Sequence, residues 1–105
     1  MAAFVVVELE VHDPEGYEPY RAMASASVSA HGGAYRVRGG AVEALEGEAP
    51  TGRVVILEFP DLDRARAWYH SAEYQEAVPI RQAASTGRMF LVEGLEIPGS
   101  VTGPS

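Results

Sequence analysis

From Phe4 to Val11 apolar side chains fall on both faces of an extended chain, with Val5, Val7, Leu9 and Val11 on one side and Phe4, Val6, Glu8 and Glu10 on the other. This pattern predicts a strand in the middle of a sheet. Arg53 to Phe59 repeats it, setting Val55, Leu57 and Phe59 opposite Val54, Ile56 and Glu58, and predicts a second central strand. Between the two, Asp13-Pro14-Glu15 marks a helix start: the Asp carboxylate caps free amides, Pro fits the first turn and Glu favours the positive end. The helix carries a stripe of Tyr17, Tyr20, Ala24, Val28 and His31. It ends at Gly32-Gly33, where the left-handed conformation is accessible.

Ala34 to Arg38 alternates as a strand with Tyr35 and Val37 opposite Arg36 and Arg38, and Gly39-Gly40 predicts a bulge or tight bend before Val42 to Glu46. Residues 47–52 read as a turn. Pro60-Asp61 opens a second helical region with a stripe of Leu62, Ala65, Trp68 and Tyr69, expected to break near Ser71 and again at Pro79, which disfavours a helical Val78. Gly87 to Leu95 reads as the last strand. The order β-α-β-β-α-β is the ferredoxin-like α+β pattern, a four-stranded antiparallel sheet with its first and third strands side by side in the centre. One domain is expected over residues 1–95, followed by a flexible Pro-, Gly- and Ser-rich tail over 96–105 with little to bury. The helices of one copy cover only one face of such a sheet, so a second copy of the chain is the economical cover for the other. A homodimer is expected.

The formal net charge of -7 repels phosphate backbones and anionic lipid, so neither nucleic acid nor membrane is an expected partner. With no cysteine the chain has no disulfide, thiolate nucleophile or thiolate metal site. The apolar start lacks a basic leader and passes straight into Glu8 and Glu10, and no stretch is long enough for a membrane span; a cytoplasmic location is expected.

Several short motifs follow one another along the chain. They are Asp13-Pro14-Glu15 with Tyr17 and Tyr20, His31-Gly32-Gly33, Arg38-Gly39-Gly40, Leu45-Glu46-Gly47 and Glu58-Phe59, then Ala67-Trp68-Tyr69 with Ser71, Glu73 and Tyr74, Arg81, and Leu91-Val92-Glu93-Gly94. Together they resemble the bacterial family catalogued as domain of unknown function 1330. The resemblance implies a dimeric α/β barrel, in which the sheets of two ferredoxin-like subunits meet. That superfamily also holds cofactor-independent monooxygenases, polyketide cyclases, muconolactone isomerases and haem enzymes, so the resemblance implies an architecture and leaves the activity open.

Two constellations could carry chemistry. Glu8 and Glu58 are expected on the sheet face away from the helices, with Arg36 and Arg38 projecting to the same side. A half-buried carboxylate there can serve as a general base, and the same four residues can equally be ion pairs at a dimer seam. The second group is a pocket built from Trp68, Tyr69, Ser71, Tyr74 and Arg81 and reached from the first helix by Tyr17, Tyr20 or His31. Tyr and Ser can donate to a developing oxyanion, Arg can hold a carboxylate and Trp supplies an apolar wall. The plainer reading makes Trp68 and Tyr69 core and Ser71 a helix cap. His12, His31 and His70 lack metal-ligand spacing, and Gly39-Gly40 lacks the lysine and spacing of a phosphate loop, so no metal and no cofactor is expected.

These features lead to a homodimer with a small-molecule pocket, performing cofactor-independent acid/base chemistry on a small carbonyl, enol or lactone-like metabolite. Glu58 or His31 would move a proton, Tyr69 and Ser71 would stabilise negative charge, and Arg38, Trp68, Tyr74, Arg81 and Tyr17 would bind the substrate. The rival reading is a non-catalytic ligand-binding or protein-interaction dimer built from the same residues.

Overall fold

The computed structural model describes residues 1–95, and the tail expected over 96–105 lies outside them. Its elements are β1 (Ala3–Val11), α1 (Pro14–Ala30), β2 (Ala34–Arg38), β3 (Arg53–Phe59), α2 (Leu62–His70), α3 (Ala72–Ala84) and β4 (Ser85–Glu93). The strands form one antiparallel sheet in the order β2-β3-β1-β4, so the two strands apolar on both faces lie at its centre. This is the ferredoxin-like α+β fold expected from the alternation.

The local signals act as their chemistry dictates. Asp13 caps α1 by accepting from the Gly16 amide at 3.1 Å. At the other end Gly32 takes φ 75°, while the Gly33 amide donates to Val28 O and the Gly32 amide to Ser29 O, the paired bonds of a Schellman stop. Asp61 caps α2 through the Arg64 amide at 2.7 Å.

One face of the sheet is sealed by the helices. Val5, Val7, Leu9, Val55, Leu57 and Phe59 are buried there beneath Tyr17, Tyr20, Ala24 and Val28 of α1, Ala65 and Trp68 of α2, and Tyr74, Ala77 and Val78 of α3. The opposite face carries Phe4, Val6, Val37, Val54 and Ile56, all only partly buried, with Phe90 and Val92 of β4 exposed at 41% and 44%.

Four expectations are corrected. Arg38 does not share the face of Arg36. β2 pairs Tyr35 with Leu57 but Val37 with Ile56, leaving Arg36 as the extra residue of a bulge, so Arg38 falls opposite Val55 on the helix side. The expected four-residue cluster therefore splits into Arg36 with Glu58 at 2.8 Å and Glu8 with Arg88 of β4 at 3.1 Å. Glu8 lies opposite Val54 while Glu58 lies opposite Phe4, which separates the carboxylates by four positions along the ladder, roughly 13 Å. Third, α3 does not break at Pro79. The residue is exposed, so the Gln75 carbonyl that loses its partner can turn to water; the break at Ser71 does occur. Fourth, α3 runs straight into β4, which begins at Ser85 and ends at Glu93.

Candidate functional site

The side chains on the inner face of α1 stand over the ends of β1 and β3. Tyr17, Tyr20, Arg21, Ala24 and Val28 recur every three or four residues and so share one stripe. Below them lie Val7, Leu9, Val55 and Leu57, with Trp68 and Met89 at the far side and Tyr35, Arg38 and Arg53 at the near side. Together they enclose a chamber of about 30 Å³, room for a single water. Leu9, Tyr17, Arg21 and Arg53 also line an outer cleft of about 450 Å³, open to solvent and bordered by Glu10, Glu18 and Thr51.

The charges at this mouth are unevenly matched. Four of the arginines form ion pairs: Arg21 with Glu18, Arg36 with Glu58, Arg66 with Asp63 and Arg88 with Glu8. Among the described residues Arg38 and Arg53 have no carboxylate partner, and both line the chamber. Arg38 lies over the Tyr35 ring at 4.1 Å and donates to the Ser25 hydroxyl at 2.7 Å, which holds it against the chamber. Arg53 has a buried Nε with no hydrogen-bond partner. Its guanidinium packs where a side chain on Gly39 would sit, since a Cβ there would lie 2.7 Å from Nη1, and Gly39 has φ 75°. Glycine at this turn therefore makes room for the arginine.

The phenols of the site are neutral donors. Burial raises the pKa of Tyr17, against the charge of Arg53. Burial likewise raises Tyr20, reinforced by the neighbouring Tyr74, and raises Tyr74 against the hydroxyl of Tyr20 and the charge of Arg81.

Of the residues anticipated from the sequence, the structure brings Tyr17, Arg38 and Trp68 to the chamber. Trp68 is 1% exposed and donates its indole N–H to Ser27 Oγ at 3.0 Å. Tyr74 and Arg81 are buried behind Tyr20, outside the chamber lining. Tyr69 projects from α2 toward β4, beside His70, Met89 and Phe90, and is half exposed. Ser71 caps α3, its hydroxyl accepting from the Tyr74 amide at 3.2 Å and donating to Trp68 O at 2.7 Å. His31 bonds Ser27 O through Nδ1 at 2.9 Å at the end of α1. Glu58 lies across the sheet, on the face away from the helices. Neither His31 nor Glu58 is among the groups that line the chamber. Among the described residues no three His, Asp or Glu side chains converge as a metal cage requires.

Arg21, Tyr35 and Arg53 are the charged and aromatic lining residues that sequence reasoning does not single out. Arg21 follows Tyr17 by one helical turn, and the alternation that buries Val55 and Leu57 also puts Arg53 on their face, so both had a periodic signal. The alternation assigns Tyr35 to a strand and carries no signal of the site.

The fold and cleft define a small α+β protein with a ligand-sized opening between its helices and the end of its sheet. The chain belongs to the family described as Domain of unknown function (DUF1330), whose model matches residues 2–95. No curated protein matches it in sequence. Among solved structures it is similar to a protein of unknown function from Rhodopseudomonas palustris, at 20% identity and TM-score 0.73 over 91% of this chain and 84% of that one. It is also similar to a dimeric ferredoxin-like protein of unknown function from Jannaschia sp. CCS1, at 18% identity and TM-score 0.67 over 92% of this chain and 100% of that one. A third is SnoaB, a cofactor-independent oxygenase from Streptomyces nogalater, at 18% identity and TM-score 0.58 over 94% and 98% of the two chains. These likenesses establish the fold. Among the described residues no helix is long and apolar enough to cross a membrane.

Proposed function

We propose that the chain is a cytoplasmic homodimer whose helix-side cleft binds a small, enolisable, anionic metabolite and acts on it as a cofactor-independent enzyme. The observation that carries this reading is the gathering of carboxylate-free Arg38 and Arg53, joined by Arg21, at the mouth of a chamber walled by Tyr17, Tyr20, Tyr35 and Trp68. In a chain of net charge -7, Arg53, partly buried over an apolar chamber and without a carboxylate partner among the described residues, favours an anionic ligand. The chamber takes a water-sized group such as the substrate's oxygen, and the rest of the substrate lies in the outer cleft against the Tyr17 ring.

In this mechanism the arginines lower the pKa of the bound enol, so the enolate forms at neutral pH by losing its proton to solvent in the outer cleft. Neutral phenols then donate to the enolate oxygen, and the low dielectric of the chamber strengthens each such contact. Glu58 and His31 have no part in this route. An enolate so held is competent for isomerisation, cyclisation or lactone opening. Where dioxygen is the oxidant, it is competent for oxygenation of the kind named for SnoaB. The homodimer is supported by the apolar face of the sheet left without cover and by the dimeric Jannaschia relative.

The test is a thermal-shift screen of small carboxylates, hydroxyquinones and lactones, followed by turnover assays under air with every compound that stabilises the fold. Stabilisation by hydroxyquinone or carboxylate anions, abolished in Arg38→Ala, supports the reading; no shift with any anion removes it. The second reading, a non-catalytic binding dimer, is favoured by the absence of a carboxylate or imidazole among the chamber-lining residues. Tight binding without conversion of any bound compound would select it.

A further inference from the structure

A second opening lies between α2 and the edge strand β4, floored by Ala65 and Leu91 and rimmed by Arg66, His70 and Phe90. It measures about 230 Å³. That is below the roughly 300 Å³ at which small-molecule pockets begin, and it suits a protruding side chain. Phe90 and Leu91 alternate to opposite faces of the sheet and both line this groove, so it passes around the edge of β4. Phe90 thereby joins it to the open face that carries Phe4, Val6 and Ile56, the face that a second copy covers.

The complementary feature belongs to the other edge of the sheet. Between β2 and β3, residues 39–52 form neither helix nor strand, and every residue from Gly39 to Glu48 is exposed. Gly47 turns this loop at φ 71° with open space around it. Close by stands Leu45, at 88% exposure the barest large apolar side chain among the described residues. Glu43, Glu46 and Glu48 surround it, and among the described residues none of the three is in an ion pair. The rim of the groove is basic. Arg66 is tied there only to Asp63, at 3.4 Å and with the carboxylate 96% exposed, and His70 follows one helical turn later. The sheet and its helices stand between the loop and the groove of one copy, so the loop does not serve its own groove.

We propose that in the homodimer the loop between β2 and β3 sets Leu45 in the partner's groove, with its glutamates against the partner's Arg66 and the partner's His70; this rests on the dimer reading and not on the cleft. A two-fold axis along the strands lays β2 of one copy over β4 of the other and makes the contact twice, which closes the assembly. The levels agree. Arg38, the last residue of β2, lies opposite Val55, Val55 opposite Val7, and Val7 opposite Met89, a lining residue of the groove. The loop therefore leaves β2 at the level of the groove and has to cross the spacing of stacked sheets, about 10 Å. The seven residues from Arg38 to Leu45 span up to about 23 Å.

The chain has no cysteine, so introduced pairs report the contact directly. Leu45→Cys combined with His70→Cys or with Arg66→Cys is expected to give a disulfide-linked dimer under mild oxidation, seen on a non-reducing gel, whereas Leu45→Cys alone does not link. All three positions are exposed, so the fold tolerates the changes. Linkage by Leu45→Cys alone would set loop on loop and overturns the proposal, as does a solution dimer in which neither pair links. The second arm is the dimer constant from analytical ultracentrifugation. Leu45→Asp is expected to weaken it at least about 30-fold and Leu45→Met to leave it within about 3-fold. Nile red bound by the wild-type dimer and lost in Tyr69→Glu would show a groove open to small apolar ligands, and that too overturns the proposal. A wild-type monomer at micromolar concentration removes the dimer reading and this contact with it; a dimer indifferent to Leu45→Asp removes the contact alone.

Discussion

Trp68 donates its indole N–H to the hydroxyl of Ser27 at 3.0 Å, and Ser27 donates in turn to Ala24 O at 2.8 Å. The pair ties α2 to α1 with both side chains almost wholly removed from water. The Trp68 ring lies 4.2 Å from Tyr74 and 5.3 Å from Phe59, so its orientation also fixes the chamber wall. Ser27→Ala leaves a buried indole N–H without an acceptor and is expected to destabilise the fold by about 1–3 kcal/mol. Urea unfolding would register this as a lower midpoint at unchanged slope. An unaltered midpoint would mean that the indole finds another partner.

The face of the sheet away from the helices is the proposed dimer surface. Phe4, Val6, Ile56 and Phe90 lie there together, flanked by the ion pairs Arg36–Glu58 and Glu8–Arg88. Placing a carboxylate at Ile56 removes apolar area and buries an unpaired charge. Ile56→Asp is therefore expected to weaken dimerisation at least about 100-fold, a cost near 3 kcal/mol. Light scattering at micromolar concentration would then read a monomer for the variant and a dimer for the wild type. A wild-type monomer would sink the dimer and leave the helix-side cleft intact.

Buried phenols set the alkaline limit of stability. Tyr17, Tyr20 and Tyr74 all have pKa values raised above the ordinary 10.0, chiefly by burial. Below that pH neither the folded nor the unfolded chain ionises them, so their contribution is complete and flat. Above it the unfolded chain releases protons that the folded chain retains, and stability falls by up to about 1.4 kcal/mol per pH unit for each phenol. Unfolding free energy measured toward about pH 11 should decline from near pH 10 onward, and less steeply in Tyr20→Phe. A flat curve through that range would contradict the burial of these hydroxyls.

The fold was legible because two segments, around Val5–Leu9 and Val55–Phe59, are apolar on both faces, and one topology puts two such strands side by side at the centre. The caps at Asp13 and Gly32 were legible because their chemistry is local. The side on which Arg38 lies was not. It depends on a bulge at Arg36 that shifts the register against β3, and a single strand's alternation says nothing of its partner's pairing. The aromatic run Trp68-Tyr69-His70 likewise pointed to a pocket, but successive helical residues point about 100° apart. Trp68 faces the core, and Tyr69 faces β4. Arg53 shares the face of Val55 and Leu57 by alternation alone, yet it opens an apolar strand whose pattern signals core and not a site.

Pro79 shows how a helix can override a local signal. It stands inside α3 with its ring exposed, while Val78 and Arg81 on the inner side hold the helix to the core. Pro79→Ala restores an amide that can donate to the Gln75 carbonyl and removes the ring's clash with the preceding turn. The lost rigidity of the unfolded chain offsets part of the gain, leaving an expected stabilisation of about 1–2 kcal/mol. A higher melting temperature with unchanged ligand binding would meet the prediction. A lower one would mean that the ring contributes packing that its exposure hides.

Arg53 is partly buried and Arg36 exposed, and their surroundings assign them different work. Arg36 is neutralised by Glu58 at 2.8 Å on the far side of the sheet, whereas Arg53 lines both chamber and outer cleft with its Nε unpartnered. Arg53→Gln should therefore weaken binding of an anionic hydroxyquinone by about 10-fold or more, while Arg36→Gln leaves it within about 2-fold. Isothermal titration at low and high salt gives the check, because removing a charge that acts on the ligand also flattens the salt dependence. Equal losses from the two variants would show that the field of the whole molecule, and not the chamber, governs binding. Stabilisation of the fold by Arg53→Gln without loss of affinity would show that the buried guanidinium is strained and idle.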